Sequence, residues 1–388
     1  MESSTKRGRL AFFTPKMSLE AGQSLGIQKK VQGQNRAFQK LGFDVELFDF
    51  APYDYGSNIL QNLFRSWAFN RKYYQECLER LLEYRPDVVY IRYNFSDSHF
   101  IYFLKSLKKS VGTAIPIFLE IATYPYDREL RSSGRLGLFV LYLADLLYRR
   151  NLRNYFDLVI TYSEYQSIFS IPTIKIGNGV DVESIQPAAP CSIKDNQVEY
   201  HFIGVSNLVY WTGYERMIQG LADYQKDGNG KKVFFHVVGD GLYLEPLQRL
   251  ANQKGVGEHV VFHGAHVGDS LDRLFQDKDL AIGNLGVHRK GMVTNPDLKN
   301  REYCARGIPF ITSTSDPGFP EDFISVMSVP PDESAIQIRD LVDFVKNLRR
   351  KNPEYAIEMR EFAKINFDWS VMLKPVADKM KACIEQRY

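Results

Sequence analysis

Short, almost wholly apolar runs punctuate the chain, each separated from the next by a longer stretch with helical spacing, and the series occurs twice. In the first half the runs are RLAFFTP (9–15), VELFDF (45–50), VVYIRY (88–93), PIFLEI (116–121), LVITYS (158–163) and TIKIGNGV (173–180), with helices expected over 27–41, 58–84 and 99–109. The second half offers VEYHFIGV (198–205), VFFHVVG (233–239), HVVFHG (259–264), DLAIGNLG (279–286) and PFITS (309–313), with helices starting near 214, 244, 270 and 296. Strand-length runs without polar alternation belong to a parallel sheet covered by helices on both faces. Two such series, joined at 185–196 (IQPAAPCSIKDN), predict two doubly wound α/β domains facing a cleft. The expected limits are 1–185, 186–368 and a final helix over 369–388 that returns to the first domain.

Composition narrows the classes of function. Length divided by roughly 150 gives two to three domains for 388 residues. A formal charge of +3 excludes a nucleic-acid binder built on bulk charge. Cys77, Cys191, Cys304 and Cys383 lie far apart without metal-ligand spacing, which fits free thiols in a reducing, cytoplasmic compartment. The longest apolar stretch, 136–148, contains Asp145 and falls short of the roughly 20 residues a spanning helix needs. Arg149, Arg150 and Arg153 follow it, and a second basic–aromatic segment runs over 64–74. Such segments can lie on an anionic membrane surface; a core-facing helix with a basic end is the competing reading. Aromatic residues make up 13% of the chain, enough to fill cores, line a ligand cleft or face a membrane.

Several loops carry candidate chemistry. The first strand feeds a glycine-containing loop, with Ser24 and Gly26, where bare amides can approach an anion or sugar; a turn needing only flexibility competes with that. Gly239-Asp240-Gly241 follows a strand and precedes a helix, which suits a nucleotide and is also common turn chemistry. The segment 285–311 is the most informative. Asn295 reads as a helix cap and Pro296 as the first helical residue, so that Lys299, Glu302 and Arg306 share a face. Upstream, His288, Arg289 and Lys290 put potential cations in one loop, suited to a diphosphate, while Glu302 could hold two vicinal hydroxyls. A solvated loop beside a surface helix is the alternative. Asp277-Lys278-Asp279 reads as a polar helix end rather than a metal site, and His259 and His263 stand about 13 Å apart on a strand, too far to share a zinc.

Taken in order, the Gly26 loop, Glu120 with Thr123 to Tyr126, Asn178 to Asp181, Gly204 to Gly213, Gly239 to Gly241 and LKNREYCARGIPF (298–310) carry a resemblance. The chain resembles the GT-B-fold glycosyltransferases of family 4, also called group 1, and especially bacterial polysaccharide-assembly members. The resemblance implies two Rossmann-like domains and transfer of a sugar, with retention and without a required metal, from a nucleotide sugar (UDP-linked by default) to a glycan or lipid-linked acceptor. Capsule or exopolysaccharide synthesis at the inner face of the plasma membrane is the implied setting. Glu302 matches the second glutamate of the family's Glu-x7-Glu motif, and Thr294 stands at the first. The family's Arg and Lys after the first strand of the second domain are absent from 205–213, so Arg289 and Lys290 are expected to serve the leaving diphosphate from the neighbouring loop.

On the donor side the expectation therefore names Gly26, Asn207, Gly239, Asp240, Gly241, His266, His288, Arg289, Lys290, Lys299 and Glu302; on the acceptor side it names Ser24, Glu120 and Tyr124. Glu120, Arg289 and Lys290 are the expected catalytic groups, Glu120 as a base or acceptor-orienting carboxylate at a strand's carboxyl end. Tyr126, Tyr210, Trp211 and Tyr303 are expected to supply flat rings around the cleft. A catalytically weak nucleotide-binding subunit of another glycosyltransferase is the rival reading, and a partner glycosyltransferase subunit or a second copy of the chain is the expected protein partner.

Overall fold

The computed structural model describes residues 8–15, 25–49, 59–111, 115–127, 136–188, 197–228 and 231–386. Ser24 and Cys191 lie outside them, as do the side chains of 59–70. The chain forms two compact units, Met1–Gly177 with Trp369–Tyr388, and Asn178–Asp368.

The first unit is built on a seven-stranded sheet of β1 (Gly8–Thr14), β2 (Phe43–Asp49), β3 (Val88–Arg92), β4 (Ile117–Ile121), β5 (Leu158–Thr161), β6 (Ser167–Ile168) and β7 (Ile171–Lys175). Their order is β2-β1-β3-β4-β5-β7-β6, and the pairings are parallel except for the β6–β7 hairpin. Helices α1 (Leu25–Lys40), α2 (Ile59–Tyr84), α3 (Ser98–Val111) and α4 (Leu136–Tyr148) surround it. Strand parity sorts the side chains: Leu10 and Phe12 enter one apolar layer with Val31 and Phe38, while Ala11 and Phe13 enter the other with Leu81 and Phe103.

The second unit repeats the plan with β8 (Glu199–Val205), β9 (Lys232–Val238), β10 (Val260–Gly264), β11 (Leu280–Ile282), β12 (Phe310–Thr312) and β13 (Val326–Ser328). Its helices are α5 (Glu215–Lys226), α6 (Leu244–Gln253), α7 (Asp269–Phe275), α8 (Leu298–Arg306), α9 (Ile338–Lys351) and α10 (Tyr355–Asn366). The strand order β10-β9-β8-β11-β12-β13 is parallel throughout. After β8 the chain builds outward to β9 and β10, then returns to the other side of β8 to place β11. The loops after β8 and β11 therefore diverge, which opens a crevice at the carboxyl ends of these two strands.

Past Asp368, α11 (Trp369–Met372) and α12 (Lys374–Glu385) rejoin the first unit, burying Trp369, Leu373, Val376, Ala377 and Met380 against the α1 side of its sheet. Each unit is thus a doubly wound α/β layer built on a mainly parallel sheet. Several local features differ from the sequence pattern, among them the short strand β6 and the helices α9 and α10. The run expected to continue to 180 ends at Lys175, β13 is a further strand, and α8 starts at Leu298 instead of at Pro296. The last shift has a long-range cause. Thr294 pairs with Ser315, and the Asn295 amide donates to the Ser315 carbonyl at 2.9 Å, so this stretch is held as an extended bridge until Asp297 flanks the helix.

Candidate functional site

In the second unit the crevice between β8 and β11 is closed from one side by the first turn of α8. Lys299 reaches into it, its ammonium donating to Ser206 Oγ at 3.0 Å, just past β8, and to Asn284 Oδ1 at 2.8 Å, just past β11. Desolvation lowers its pKa, against the opposing pull of Asp297 and Glu302. Both contacts are neutral, so the positive charge has no ion-pair partner among the described residues. One turn along, the half-buried Glu302 makes no hydrogen bond or ion pair among the described residues. An uncompensated ammonium beside an uncommitted carboxylate suits a ligand carrying both an anionic group and hydroxyls.

The neighbouring turn after β9 is shaped by close backbone packing. A Cβ at Gly239 (φ 136°) would stand 1.8 Å from the Ser206 carbonyl oxygen, and one at Gly241 (φ 145°) would stand 2.4 Å from that of Leu208. Only glycine fits such positions. The turn is less open to phosphate than its sequence suggests. The Gly239 amide is spent on the Gly264 carbonyl, and the Gly241 amide on Asp240 Oδ1 at 2.7 Å, which leaves a carboxylate where an anion would have to approach. Asn207 is exposed beside it.

Arg289 does not stand ready for a diphosphate. Its guanidinium is paired with both Glu215 and Glu333, with Nε donating to Glu333 Oε1 at 2.9 Å, and it also bonds the Tyr210 carbonyl. His288 Nε2 meets the same Glu333 oxygen at 2.7 Å. These hydrogen bonds, from Arg289 first, hold the Glu333 pKa down to about 2. The Arg289 charge is met within the protein, which departs from the expectation that it serves a leaving diphosphate; Lys299, by contrast, has no ion pair among the described residues. Lys290 is exposed and lies 4.7 Å from the Trp211 ring centroid, a cation–π contact. Arg306, expected on the Lys299 face, is tied to Asp272 at 2.7 Å. Tyr303 is fully buried, its hydroxyl donating to the Ile282 carbonyl, and so belongs to the core instead of a cleft.

The histidines form a ladder. His201 Nδ1 meets His236 Nε2 at 3.1 Å, His236 Nδ1 meets His263 Nε2 at 2.9 Å, and His266 Nε2 lies 3.1 Å from the His263 carbonyl oxygen. Burial, reinforced by Lys278, brings the His236 pKa down to about 3, which keeps that imidazole neutral. Asp279 is engaged by Arg349 at 2.8 Å and by the His201 amide. Among the described residues no group of three or more His, Cys, Asp or Glu is arranged for a metal ion.

In the first unit, Glu120 is fully buried at the α1 side of β4, which corrects its assignment to an acceptor-facing base. Its Oε1 accepts from Arg92 at 2.7 Å, Tyr162 at 2.9 Å and Gln34 at 3.3 Å, with Lys30 at 3.9 Å. Desolvation pushes the carboxyl up, but Arg92, Lys30 and the two neutral donors more than reverse that, so its pKa is lowered. Lys30 is itself pulled down to about 7 by burial, partly offset by Glu120. This hub was not foreseen. A carboxylate inside an otherwise apolar strand was its one sequence signal, since such a group needs buried partners. Gly26 sits exposed in the first turn of α1 with open space around its Cβ position, so packing there does not demand glycine. Tyr124 is half-buried in the segment after β4.

Residues 192–359 match the family model described as glycosyl transferases group 1. A GDP-mannose-dependent alpha-(1-6)-phosphatidylinositol monomannoside mannosyltransferase of Mycobacterium tuberculosis is 24% identical over 212 residues, 52% of this chain and 54% of that protein. The chain thus spans about half the length of the curated relatives it matches. Among solved structures, a glycosyltransferase from Rickettsia africae superposes with a TM-score of 0.61 at 11% identity, covering 98% of this chain and 99% of that one. Anabaena Alr3699/HepE in complex with UDP gives 0.60 at 15% identity, covering 96% and 100%. These structural likenesses concern the fold.

Proposed function

We propose, from a chain that is similar to the group 1 glycosyltransferases, that this protein transfers a hexose from a nucleotide sugar to a glycan or lipid-linked glycan, with retention, in the assembly of a bacterial capsule or exopolysaccharide. The observation that carries this reading is the uncompensated Lys299 ammonium in the β8–β11 crevice, one turn from the uncommitted Glu302. A nucleoside diphosphate leaving group places its negative charge on such a cation, and a ribose presents two vicinal hydroxyls to such a carboxylate. UDP is the default nucleotide, as in the Anabaena complex, and GDP is the comparison raised by the mycobacterial relative.

Thr294 favours one second reading. It stands exposed where a carboxylate toward the donor sugar is expected and bridges to Ser315, an arrangement suited to a subunit that binds nucleotide for a partner enzyme. One assay separates the two: nucleotide release from UDP-glucose, UDP-galactose, UDP-N-acetylglucosamine and GDP-mannose, with and without polyprenyl-linked acceptor. The enzyme reading expects release from at least one donor, unaffected by EDTA and faster with acceptor. Nucleotide binding without release from any donor would instead establish the subunit.

A peripheral place at the membrane is supported by α4. Tyr142 and Asp145 face the core, while Phe139, Val140, Leu141, Leu143 and Leu147 are 41–75% exposed, and the exposed Arg150 and Arg153 follow. An apolar row next to cations suits an anionic bilayer. No helix among the described residues is long and apolar enough to cross one. We expect co-sedimentation with phosphatidylglycerol vesicles and its loss in L143E/L147E; failure of the wild type to sediment even at low salt rejects this placement.

A further inference from the structure

We infer that Tyr124, Tyr165 and Phe169 of the first unit form a stacking platform for a pyranose ring of the acceptor. The inference rests on the glycosyltransferase reading and extends its acceptor-side expectation at Tyr124 to Tyr165 and Phe169, which that expectation did not include. Tyr124 follows β4 and Tyr165 follows β5, at the carboxyl ends of two adjacent strands, and Phe169, in the β6–β7 turn that precedes β7, brings its ring against Tyr124. Open parallel sheets present ligand sites at that edge. The Tyr165 ring is 49% exposed and meets Tyr124 edge-on, with centroids 5.0 Å apart and planes at 88°. Tyr124 meets Phe169 at 5.9 Å, again at 88°. Successive perpendicular rings leave one aromatic face open beside the next ring's edge, a corner that accepts the C–H face of a sugar.

Two further observations indicate that this corner is deliberately held. Ile168 pairs with Ile171, so the hairpin loop is Phe169-Ser170, and both residues have positive φ, 53° and 64°. Asn-Gly is the usual occupant of such a turn, and a bulky residue with positive φ is an outlier. Here a phenylalanine takes that strained position, with its ring against Tyr93 and Tyr124 and the Arg149 guanidinium 5.3 Å away. Strain of this kind concentrates at binding sites. Beneath the platform, the fully buried Asp145 carboxylate accepts from the Tyr93 and Tyr126 hydroxyls and the Ser96 amide, which fixes the supporting rings. Arg149 and Asp127, paired at 2.9 Å and partly exposed, supply a donor and an acceptor for sugar hydroxyls at the rim.

The test uses saturation-transfer NMR on the full-length protein with cellotetraose, maltotetraose and chitotetraose as probes, alongside UDP and GDP binding. Losing one stacked ring should weaken binding of the recognised glycan about tenfold in Y165A and by less than about twofold in Y165F, with nucleotide affinity unchanged in both. Tyr165 is exposed enough for its truncation to leave the fold intact. Equal glycan binding in Y165A and wild type, an equal loss of nucleotide binding in Y165A, or no saturation transfer to any probe in the wild type would each overturn the platform. Nucleotide release without acceptor is measured separately, so failure of the enzyme reading is distinguishable from failure of this one.

Discussion

Replacing Lys299 with Met lowers nucleotide release from the donor by about 10²–10³-fold, the usual effect of deleting one preorganised donor aimed at developing charge. In the transfer proposed above, the charge in question appears on the β-phosphate as the bond from sugar to diphosphate breaks. Arg289 cannot meet it, because Glu215 and Glu333 already balance that guanidinium. Lys290 is exposed and turned onto Trp211. Lys299 is desolvated, fixed by Ser206 and Asn284 and without an ion pair among the described residues, with Asp297 and Glu302 only partly offsetting its charge, so its field in the crevice is little screened. Arginine should not substitute well, since its planar fork does not fit two neutral oxygens converging on one ammonium. R289M, by contrast, should disturb the fold near Glu333 more than the chemistry. Near-wild-type release from a folded K299M protein would falsify the assignment.

The second large effect concerns stability. Arg92→Met strips Glu120 of its closest partner and strands a fully buried carboxylate, a change that costs about 3–5 kcal/mol when one member of a buried pair is removed. Lys30 at 3.9 Å keeps the loss toward the lower end. For a unit of this size that corresponds to a fall in melting temperature of about 10 °C. Adding Glu120→Gln removes the stranded charge and should recover most of the loss. The pH dependence has a definite sign. Because the folded state depresses the Glu120 pKa, the pair stabilises fully above the unfolded value of about 4.3, and its contribution disappears as pH falls below that through the folded value. The gap between R92M and wild type should therefore be widest near neutrality and narrow in acid. A gap of constant size across that range, or a double variant no more stable than R92M, sinks the account.

Apolar runs such as LAFF and VVYI read correctly as strands because a doubly covered sheet leaves polar residues no face, a constraint expressed within five residues. That Lys299 and Glu302 share one short helix was legible for a similar reason, since their spacing is local. Arg289 misled because its partner Glu333 lies 44 residues onward, beyond any spacing argument. Glu120 misled because its neighbours Arg92 and Lys30 come from another strand and a helix, and only the fold brings them together. The late start of α8 has the same origin, since Ser315 captures Thr294 and Asn295 from the far side of the helix. Ser206 and Asn284, the groups that hold Lys299, carry no motif; they matter because the strand order reverses between them.

The return of α11 and α12 to the first unit has a consequence for biosynthesis. The unit comprising Asn178–Asp368 is continuous in sequence, whereas the other takes part of its core from residues translated after it. On the ribosome the usual N-terminal-first order is inverted. The Asn178–Asp368 unit can close around its own core while the α1 side of the earlier sheet still lacks Trp369, Leu373, Val376 and Met380. Until those residues emerge, Phe12, Phe38 and Tyr90 belong to an unfinished layer, so the earliest part of the chain to be made is the last to become protected.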